Sequence, residues 1–385
     1  MSKHSPSSYR LYSVIVALLS LSGLAVSLYL SWSHYQSYTD ITYSSFCAIS
    51  QTINCDTVAQ SQWSIFLGLP VAVWGVIGYL FFIIHLIPTY KYSQARFSNW
   101  STLTLLGLVF SFISIYFGYI SATKIHSYCI LCIFSYATNF LLFFFAWIIH
   151  RRFANDTFLA NIKISALYLK SSLPIKIIYS IFLTAVVITI VEIPHYWEYT
   201  PPPLNKNILT GITKEGHAWI GAESPKLTIE EYADYQCFQC YKIHYTLRQL
   251  ITKYPDKIRL VHHHYPMDHE VNAVVVPEPF HVGSGKMAQL AIYAASKKKF
   301  WQTNDLLYEL GRNKKTFDIK TIAEKTEIPV EELAWALESK KVKEILRYDI
   351  WHGMKLGITG TPSFVIQDKV YVGTIPIEIL QENFK

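Results

Sequence analysis

The sequence has few charged residues for its length. Only 16% of its 385 residues are Asp, Glu, Lys or Arg, whereas 51% are hydrophobic and 15% are aromatic. Soluble domains usually carry about 25% charged residues, so this composition argues against a wholly water-soluble fold. The charge is thin before about residue 195 and dense after it. This distribution predicts a membrane half followed by a soluble half.

The sequence also lacks a basic patch interleaved with aromatic residues. Its net charge is +7, but part of the excess lies in short stretches between apolar segments, where it reports membrane topology. The runs Lys297–Lys299 and Lys340–Lys341 are typical of solvated helix faces. Nucleic acid is therefore not an expected partner.

A cleavage signal is missing from the N-terminal apolar run as well. The run has a basic start with Lys3 and Arg10, but it is long and no clear small-x-small site follows it. A secretory signal would be shorter and would end at such a site. We therefore expect the first apolar run to be retained as a membrane span.

Five stretches are long and apolar enough to cross a bilayer, which takes about 20 residues. Each is nearly free of charge, and a soluble protein would not place five such stretches in succession. The predicted spans are residues 11–32, 65–87, 101–122, 128–149 and 174–193.

The Lys and Arg residues between these spans alternate in number. The N-terminus, the 88–100 loop and the 150–173 loop carry several each, whereas the 33–62 loop has none and the 122–127 turn has only Lys124. Basic loops stay in the cytoplasm. The pattern predicts a cytoplasmic N-terminus and places the C-terminal half outside the cytoplasm.

Six cysteines form three pairs, and this topology puts all of them near the outer face. The pairs are Cys47 and Cys55, Cys129 and Cys132, and Cys237 and Cys240. Purely structural disulfides are one interpretation, and a four-thiolate zinc site is another. A Cys-x-x-Cys pair that opens a helix instead favours an exchanging disulfide, because the helix start stabilises one thiolate. No metal site is expected.

The segment after the fifth span has the pattern of a thioredoxin-like domain. Pro201–Pro203 predict a stiff linker, and the stretch 226–232 alternates as a strand before Cys237-Phe-Gln-Cys240 opens a helix. A second strand covers 258–265, a mostly helical stretch follows to about residue 350, and a hairpin is predicted near the C-terminus. Thr361-Pro362 fits a cis turn beside the cysteines, with the Thr361 backbone free to pair with a substrate peptide. An ordinary trans turn is the alternative.

With a helical insertion between its halves, residues 205–385 resemble the DsbA family of disulfide oxidoreductases. Phe238-Gln239 stand where strongly oxidising members have Pro-His. His262, His263 and His264 form a run on the second predicted strand. A metal site or pH sensor is one interpretation, but we expect ordinary strand and surface histidines, with His263 facing away from its two neighbours.

The membrane half carries a more specific constellation. Its first outer loop holds Cys47 and Cys55, with Ser61 six residues further on, and the fourth span opens with Cys129-Ile-Leu-Cys132 followed by Tyr136. Residues 10–150 are similar to the vitamin K epoxide reductase family, in the form fused to a thioredoxin-like domain. The resemblance implies that Cys132 faces a quinone, Cys129 is its partner, and Cys47 and Cys55 form a shuttle pair.

The same resemblance implies that Ser61 and Tyr136 line the quinone site. Tyr136 lies one helical turn after Cys132 on the same face, so it could donate a hydrogen bond to a ring oxygen. A helix-capping role for Ser61 and a packing role for Tyr136 remain alternatives.

The predicted architecture is a membrane α-helical bundle with a four-helix core and a fifth transmembrane helix, followed by an α/β thioredoxin-like domain. The expected divisions are 1–150 for the membrane domain, 151–204 for a cytoplasmic loop, the fifth helix and the linker, and 205–385 for the thioredoxin-like domain.

The expected function is quinone-dependent disulfide formation in a bacterial inner membrane. Electrons would pass from secreted or periplasmic protein thiols through Cys237/Cys240, Cys47/Cys55 and Cys129/Cys132 to ubiquinone or menaquinone. A quinone or epoxide reductase driven by the soluble domain, a membrane-tethered isomerase and a scaffold with structural disulfides are the alternatives.

Overall fold

A computed structural model describes most of the chain, which divides into two compact units with the main boundary between Trp197 and Glu198. The predicted linker Pro201–Pro203 lies outside the described residues. The described residues are 6–40, 43, 45–49, 52–91, 97–154, 156–198, 208–312, 318–376 and 378–380.

The first unit is helical. Within the described residues, five of its helices are long and apolar enough to cross a membrane, as predicted. In chain order the helices are α1 (Pro6–Thr39), α2 (Cys55–Ala59), α3 (Val71–Lys91), α4 (Asn99–Ile120), α5 (Ile130–Phe153), α6 (Phe158–Ser171) and α7 (Leu173–Glu192).

The second span starts later than predicted, at Val71 instead of residue 65. The preceding residues form a small hairpin of β1 (Ile65–Phe66) and β2 (Leu69–Pro70). Its turn has positive φ angles of 48° at Leu67 and 76° at Gly68, which a right-handed helix does not accommodate. The 150–173 loop also differs from a plain connection, because it contains α6.

Small and polar residues join α4 to its neighbours. A Cβ atom at Gly107 of α4 would lie 2.7 Å from the Cα atom of Phe143 in α5, so the two backbones are in close approach. Asn139 of α5 accepts a 2.7 Å hydrogen bond from Tyr79 of α3 and donates a 2.9 Å bond to Ser114 of α4. Such contacts hold helices together where lipid removes the hydrophobic driving force.

The second unit is an α/β domain built on a sheet that has six strands in the described part of the chain. The strand order is β3-β4-β6-β5-β7-β8. In chain order its elements are β3 (Thr210–Ile212), β4 (Ala218–Gly221), β5 (Leu227–Ala233), α8 (Phe238–Lys253), β6 (Ile258–His264), α9 (Ser284–Ser296), α10 (Phe300–Arg312), α11 (Ile319–Thr326), α12 (Val330–Glu338), α13 (Lys340–Lys355), β7 (Ser363–Ile366) and β8 (Lys369–Val372).

The unit β5-α8-β6 forms the centre of this domain. β5 and β6 pair in parallel and α8 crosses between them, while β7 adds to β5 antiparallel. The parallel pair is buried, and Tyr232, Leu260 and Phe364 are fully enclosed on the three strands. β3 and β4, which were not predicted, extend the sheet beyond β6. The arrangement brings the start of α8 next to the start of β7.

We predict that Gly107→Ala destabilises the membrane unit by about 1–3 kcal/mol, because the added methyl group must push α4 away from the α5 backbone. Gly118→Ala is the matched control on the same helix, since its Cβ would meet only a Tyr136 ring carbon at 3.9 Å. Unfolding of both variants in detergent, followed by circular dichroism, measures the difference. Equal stabilities would contradict the close approach.

Candidate redox sites

The Cys47–Cys55 disulfide closes a short loop between α1 and α2 of the membrane unit. The two Cα atoms are 5.6 Å apart, and the backbone N–H of Cys55 donates to the carbonyl of Cys47 at 3.4 Å. A bridge between Ala48 and Asn54 continues this pairing inside the loop. Asn54 also caps α2, accepting hydrogen bonds from the N–H groups of Asp56 and Thr57. The loop is therefore held by its own backbone.

Backbone hydrogen bonds attach this loop to the residue before Cys129. The N–H of Asn54 donates to the Tyr128 carbonyl at 3.0 Å, and the N–H of Tyr128 donates to the Thr52 carbonyl at 2.7 Å. Tyr128 thus forms an isolated parallel bridge with Ile53 of the loop. Cys55 and Cys129 each follow directly after a residue of this paired segment, and the pairing brings them to the same place.

The four membrane-unit cysteines belong to one packed cluster. Cys47, Cys55 and Cys129 are all at most 3% exposed. Partly buried side chains surround these three sulfurs: Leu30, Val58, Leu131 and Cys132. Cys129 and Cys132 are thiols next to an existing disulfide, which is the set of reactants that thiol–disulfide exchange requires.

Cys129 caps the N-terminus of α5. Its sulfur accepts a 3.2 Å hydrogen bond from the backbone N–H of Cys132. This N–H has no partner within the helix, and the positive end of the helix dipole lies at the same point. Both effects stabilise negative charge on the Cys129 sulfur, which the first turn of α5 holds beside the disulfide.

Ser61 and Tyr136 occupy different positions around this cluster. The Ser61 hydroxyl donates to the carbonyl of Val58 at 2.8 Å, and Val58 packs against the cysteines. Ser61 begins the short turn 62–64, but its side chain does not cap that turn. Tyr136 lies one turn after Cys132, next to Ser121 at the end of α4. Their role towards a quinone stays a prediction.

In the soluble domain, Cys237 caps α8 in the same way as Cys129 caps α5. Its sulfur accepts a 3.4 Å hydrogen bond from the N–H of Cys240 and lies 3.4 Å from the carbonyl oxygen of Thr361, to which the thiol donates. The Thr361–Pro362 peptide bond is cis, as predicted. Cys240 is fully buried, whereas Cys237 is partly exposed. Cys237 is therefore the accessible sulfur of the pair.

Asp234 and His281 flank Cys237, and sequence reasoning assigned a role to neither. Asp234 is buried at the end of β5, and His281 Nδ1 lies 3.2 Å from its Oδ2 atom. Burial alone would raise the pKa of Asp234, but the charge and hydrogen bond of His281 lower it. Asp234 could have been suspected from its place before the motif, whereas His281 comes from a distant loop and leaves no signal in the sequence.

These groups separate the pKa values of the two thiols. The hydrogen bond with the Cys240 side chain lowers the pKa of Cys237 despite its burial, and the charge of His281 lowers it further. Burial raises the pKa of Cys240. Cys237 therefore has the lower pKa of the two thiols. A low pKa stabilises the reduced form above that pKa, which makes the disulfide more oxidising.

A network of charged side chains is buried behind α8. Glu231 Oε2 lies 3.4 Å from His262 Nδ1 and 3.9 Å from His244 Nδ1, and His244 Nε2 lies 3.0 Å from Asp305. Burial would raise the pKa of Glu231, but the hydrogen bond with His262 and the charges of the two histidines hold it at about 2. The domain therefore carries a buried carboxylate, paired with imidazoles, beneath α8, the redox helix that Cys237 caps.

The prediction of surface histidines at 262–264 was wrong. All three are at most 5% exposed, because β6 lies in the middle of the sheet with helices on both sides. The predicted alternation is confirmed: His262 faces Glu231 and α8, whereas His263 faces Asp349 of α13.

Two family models match the chain. Residues 14–147 match the Vitamin K epoxide reductase family, and residues 228–385 match the DSBA-like thioredoxin domain. Both are families of redox enzymes, and together they cover the two sites described above.

Solved structures of thioredoxin-like proteins are similar to part of the chain. A thioredoxin-like oxidoreductase from Silicibacter pomeroyi DSS-3 has 23% identity and a TM-score of 0.35 over 44% of this chain and 90% of that one. The catalytic domain of Proteus mirabilis ScsC has 22% identity and a TM-score of 0.34 over 44% and 88%. For Wolbachia pipientis alpha-DsbA1 the values are 17% and 0.36 over 44% and 90%.

Curated relatives match a smaller share of their own length. The Na(+)/H(+) antiporter NhaA 3 of Salinispora tropica is 24% identical over 160 residues, which are 42% of this chain and 23% of that protein. NhaA 1 of Salinispora arenicola is 23% identical over the same shares. The chain thus spans about a quarter of the length of the curated relatives it matches.

We predict that His281→Gln raises the pKa of Cys237, because it removes the charge that favours the thiolate. The rate of iodoacetamide alkylation of reduced Cys237, followed by peptide mass spectrometry, should rise with pH at a midpoint below the ordinary thiol range. That midpoint should move upwards in His281→Gln. His269→Gln is the matched control, since His269 hydrogen-bonds the Val276 carbonyl. An unshifted midpoint would assign the low pKa to other groups.

Proposed function

Because residues 14–147 belong to the vitamin K epoxide reductase family and residues 228–385 form a DSBA-like thioredoxin domain, we propose that the chain oxidises protein thiols to disulfides and delivers the electrons to a membrane quinone. The observation that carries the proposal is the cluster of Cys47, Cys55, Cys129 and Cys132, in which a disulfide and two thiols share one buried site.

The reaction begins at the soluble domain. A substrate dithiol attacks the Cys237–Cys240 disulfide at the exposed sulfur of Cys237, forms a mixed disulfide, and leaves as an oxidised protein. Cys237 and Cys240 then hold two electrons and two protons as a dithiol. The Thr361 backbone next to Cys237 supports strand addition as the way in which an extended substrate peptide binds.

The dithiol of the soluble domain is reoxidised by the Cys47–Cys55 disulfide. Reduced Cys55 then attacks Cys129 of a Cys129–Cys132 disulfide and forms a transient Cys55–Cys129 bridge, from which Cys132 leaves as a thiolate. Cys47 resolves the bridge. Each exchange conserves electrons, since one disulfide forms for every one that breaks. The pairing of Asn54 with Tyr128 supports this choice of attacking and receiving sulfurs.

The last step reduces the quinone. Cys132, which is partly exposed at the first turn of α5, passes the pair of electrons to the ring, and the Cys129–Cys132 disulfide reforms as the quinone takes up two protons to become a quinol. Tyr136 hydrogen-bonds a ring oxygen from the same helix face, and Ser61 contributes to the wall. The quinone is ubiquinone or menaquinone, and the substrates are secreted or periplasmic proteins with paired cysteines.

This sequence of steps requires all three cysteine pairs on one side of the membrane. The excess of Lys and Arg in alternate loops supports an inner-membrane topology with a cytoplasmic N-terminus and the thioredoxin-like domain outside. The corresponding divisions are 1–150 for the membrane domain, 151–204 for the connecting segment and 205–385 for the soluble domain.

The direct test follows quinone absorbance when the purified full chain in detergent receives a reduced, unfolded protein with paired cysteines. We expect stoichiometric quinol formation, and loss of turnover to background in Cys132→Ala. Undiminished turnover in that variant would contradict the role of Cys132.

Tyr136→Phe should lower turnover by up to about tenfold, the equivalent of one hydrogen bond of about 1.5 kcal/mol. Tyr116→Phe is the matched control, because Tyr116 is a half-exposed tyrosine on α4. Equal rates in the two variants would leave Tyr136 with a packing role.

The proposed bridge can be trapped. In Cys47→Ala/Cys132→Ala, neither resolving sulfur is present. When oxidised glutathione is added and takes up the two electrons as two thiols, Cys55 and Cys129 should accumulate as an internal disulfide that peptide mass spectrometry identifies. The matched variant Cys47→Ala/Cys129→Ala leaves Cys55 with Cys132 instead. Faster disulfide formation in the matched variant would reverse the order assigned to Cys129 and Cys132.

A further inference from the structure

A second cluster of ligand-type side chains lies on the other side of the sheet from α8. His217 precedes β4, His263 lies on β6 and Asp349 lies on α13, and all three are buried. Successive residues of a strand point to opposite faces, so His263 is directed away from the Glu231 network and the redox helix. The cluster is therefore separate from the cysteine site and has no part in the electron transfer described above.

The three side chains converge on one point. His217 Nε2 lies 2.6 Å and His263 Nδ1 lies 3.8 Å from the same oxygen, Oδ1 of Asp349. One ligand atom from each residue lies within 4.8 Å of the others. Tetrahedral zinc, with bonds of about 2.0–2.1 Å, holds its ligand atoms about 3.3 Å apart. Small side-chain adjustments would bring all three to this spacing.

The surroundings hold each of these side chains in position. The backbone N–H of His264 donates to Asp349 Oδ2 at 3.0 Å, which leaves Oδ1 directed at the imidazoles. The ring of Tyr232 stacks on His263 at a centroid distance of 4.6 Å and an angle of 6°. His217 is fixed through its backbone N–H, which donates to the Thr213 hydroxyl at 3.2 Å.

Glu230 lies close enough to the other ring nitrogen of His263 to hydrogen-bond it after a small movement. Its Oε2 atom lies 3.5 Å from Nε2 of His263, the nitrogen that points away from Asp349. A carboxylate on the outer nitrogen of a histidine fixes the tautomer and makes the inner nitrogen a better metal ligand. Glu230 is also 38% exposed, so this side of the cluster is open to solvent.

A simple ion pair leaves this cluster incompletely satisfied. Among the residues that the structure describes, neither ring nitrogen of His263 has a partner with hydrogen-bond geometry, although the side chain is buried. The rings of His217 and His263 lie 4.1 Å apart, and both approach the same carboxylate oxygen. A cation that accepts a lone pair from each imidazole and binds the carboxylate would satisfy all three groups together.

We propose that His217, His263 and Asp349 bind a divalent transition-metal ion of the zinc type, with water at the fourth position. Two imidazoles and one carboxylate suit Zn²⁺ and disfavour Ca²⁺ or Mg²⁺, which take oxygen ligands. The ion joins the turn before β4, the central strand β6 and helix α13. It thereby stabilises the side of the sheet that faces away from α8 and the two cysteines.

The test uses the full chain in detergent, purified with a histidine-free tag and with its free thiols alkylated so that cysteines cannot bind metal. Co²⁺ is titrated and its visible absorption recorded, Zn²⁺ is added in competition, and metal content is measured after dialysis. We expect one tightly bound equivalent and a rise in the thermal midpoint with Zn²⁺.

In His217→Gln the apparent Kd should rise by more than about 100-fold, since even groups that only hydrogen-bond a ligand contribute 10- to 100-fold. The thermal midpoint should then no longer respond to Zn²⁺. Glu230→Gln should weaken binding less, and His269→Gln should bind like the unmodified chain. Circular dichroism of His217→Gln checks that the variant folds. No bound equivalent in the unmodified chain, or equal affinity in His217→Gln, would overturn the proposal.

Discussion

The membrane site depends on one short piece of backbone pairing, which joins the first loop to the start of α5. The Asn54 N–H donates to the Tyr128 carbonyl, and the Tyr128 N–H donates to the Thr52 carbonyl. The side-chain link between the two elements is weak, since the Ser127 hydroxyl lies 3.4 Å from the Asn54 carbonyl and 3.5 Å from the Thr52 carbonyl. Pairing of peptide groups supplies a fixed distance instead. The burial of Cys47, Cys55 and Cys129 in one cluster follows from it, and so does the possibility of exchange between them.

The α/β domain differs from the membrane unit because it buries several charged side chains. Glu231 pairs with His244 and His262 on the face of α8, and Asp349 pairs with His217 on the face of α13. Unpaired, such groups would cost several kcal/mol each on burial. Pairing offsets this cost, and the Asp234–His281 pair beside Cys237 is held in the same way.

The five spans and the helix α8 were predictable from the sequence. Length, hydropathy and the spacing of the Cys-x-x-Cys motifs are all properties of a continuous stretch of residues. β3 and β4 were missed since three or four residues form a strand only when a partner such as β6 is present. The start of α3 was misplaced because the apolar run continues through the hairpin before Pro70. His281 and His217 could not be found, since their significance arises only from contacts with distant segments. The histidine run was assigned to the surface because composition alone does not show that β6 is central.

Cys129 and Cys237 both receive a backbone N–H from the residue three positions further on, so each sulfur is part of the end of its own helix. A thiolate accepts that bond strongly, whereas a sulfur in a disulfide accepts it weakly. Oxidation of either Cys-x-x-Cys pair to a disulfide therefore weakens this hydrogen bond and loosens the first turn of the helix that the sulfur caps. Reduction strengthens the hydrogen bond again, so the first turn of each helix is more ordered in the reduced state than in the oxidised state.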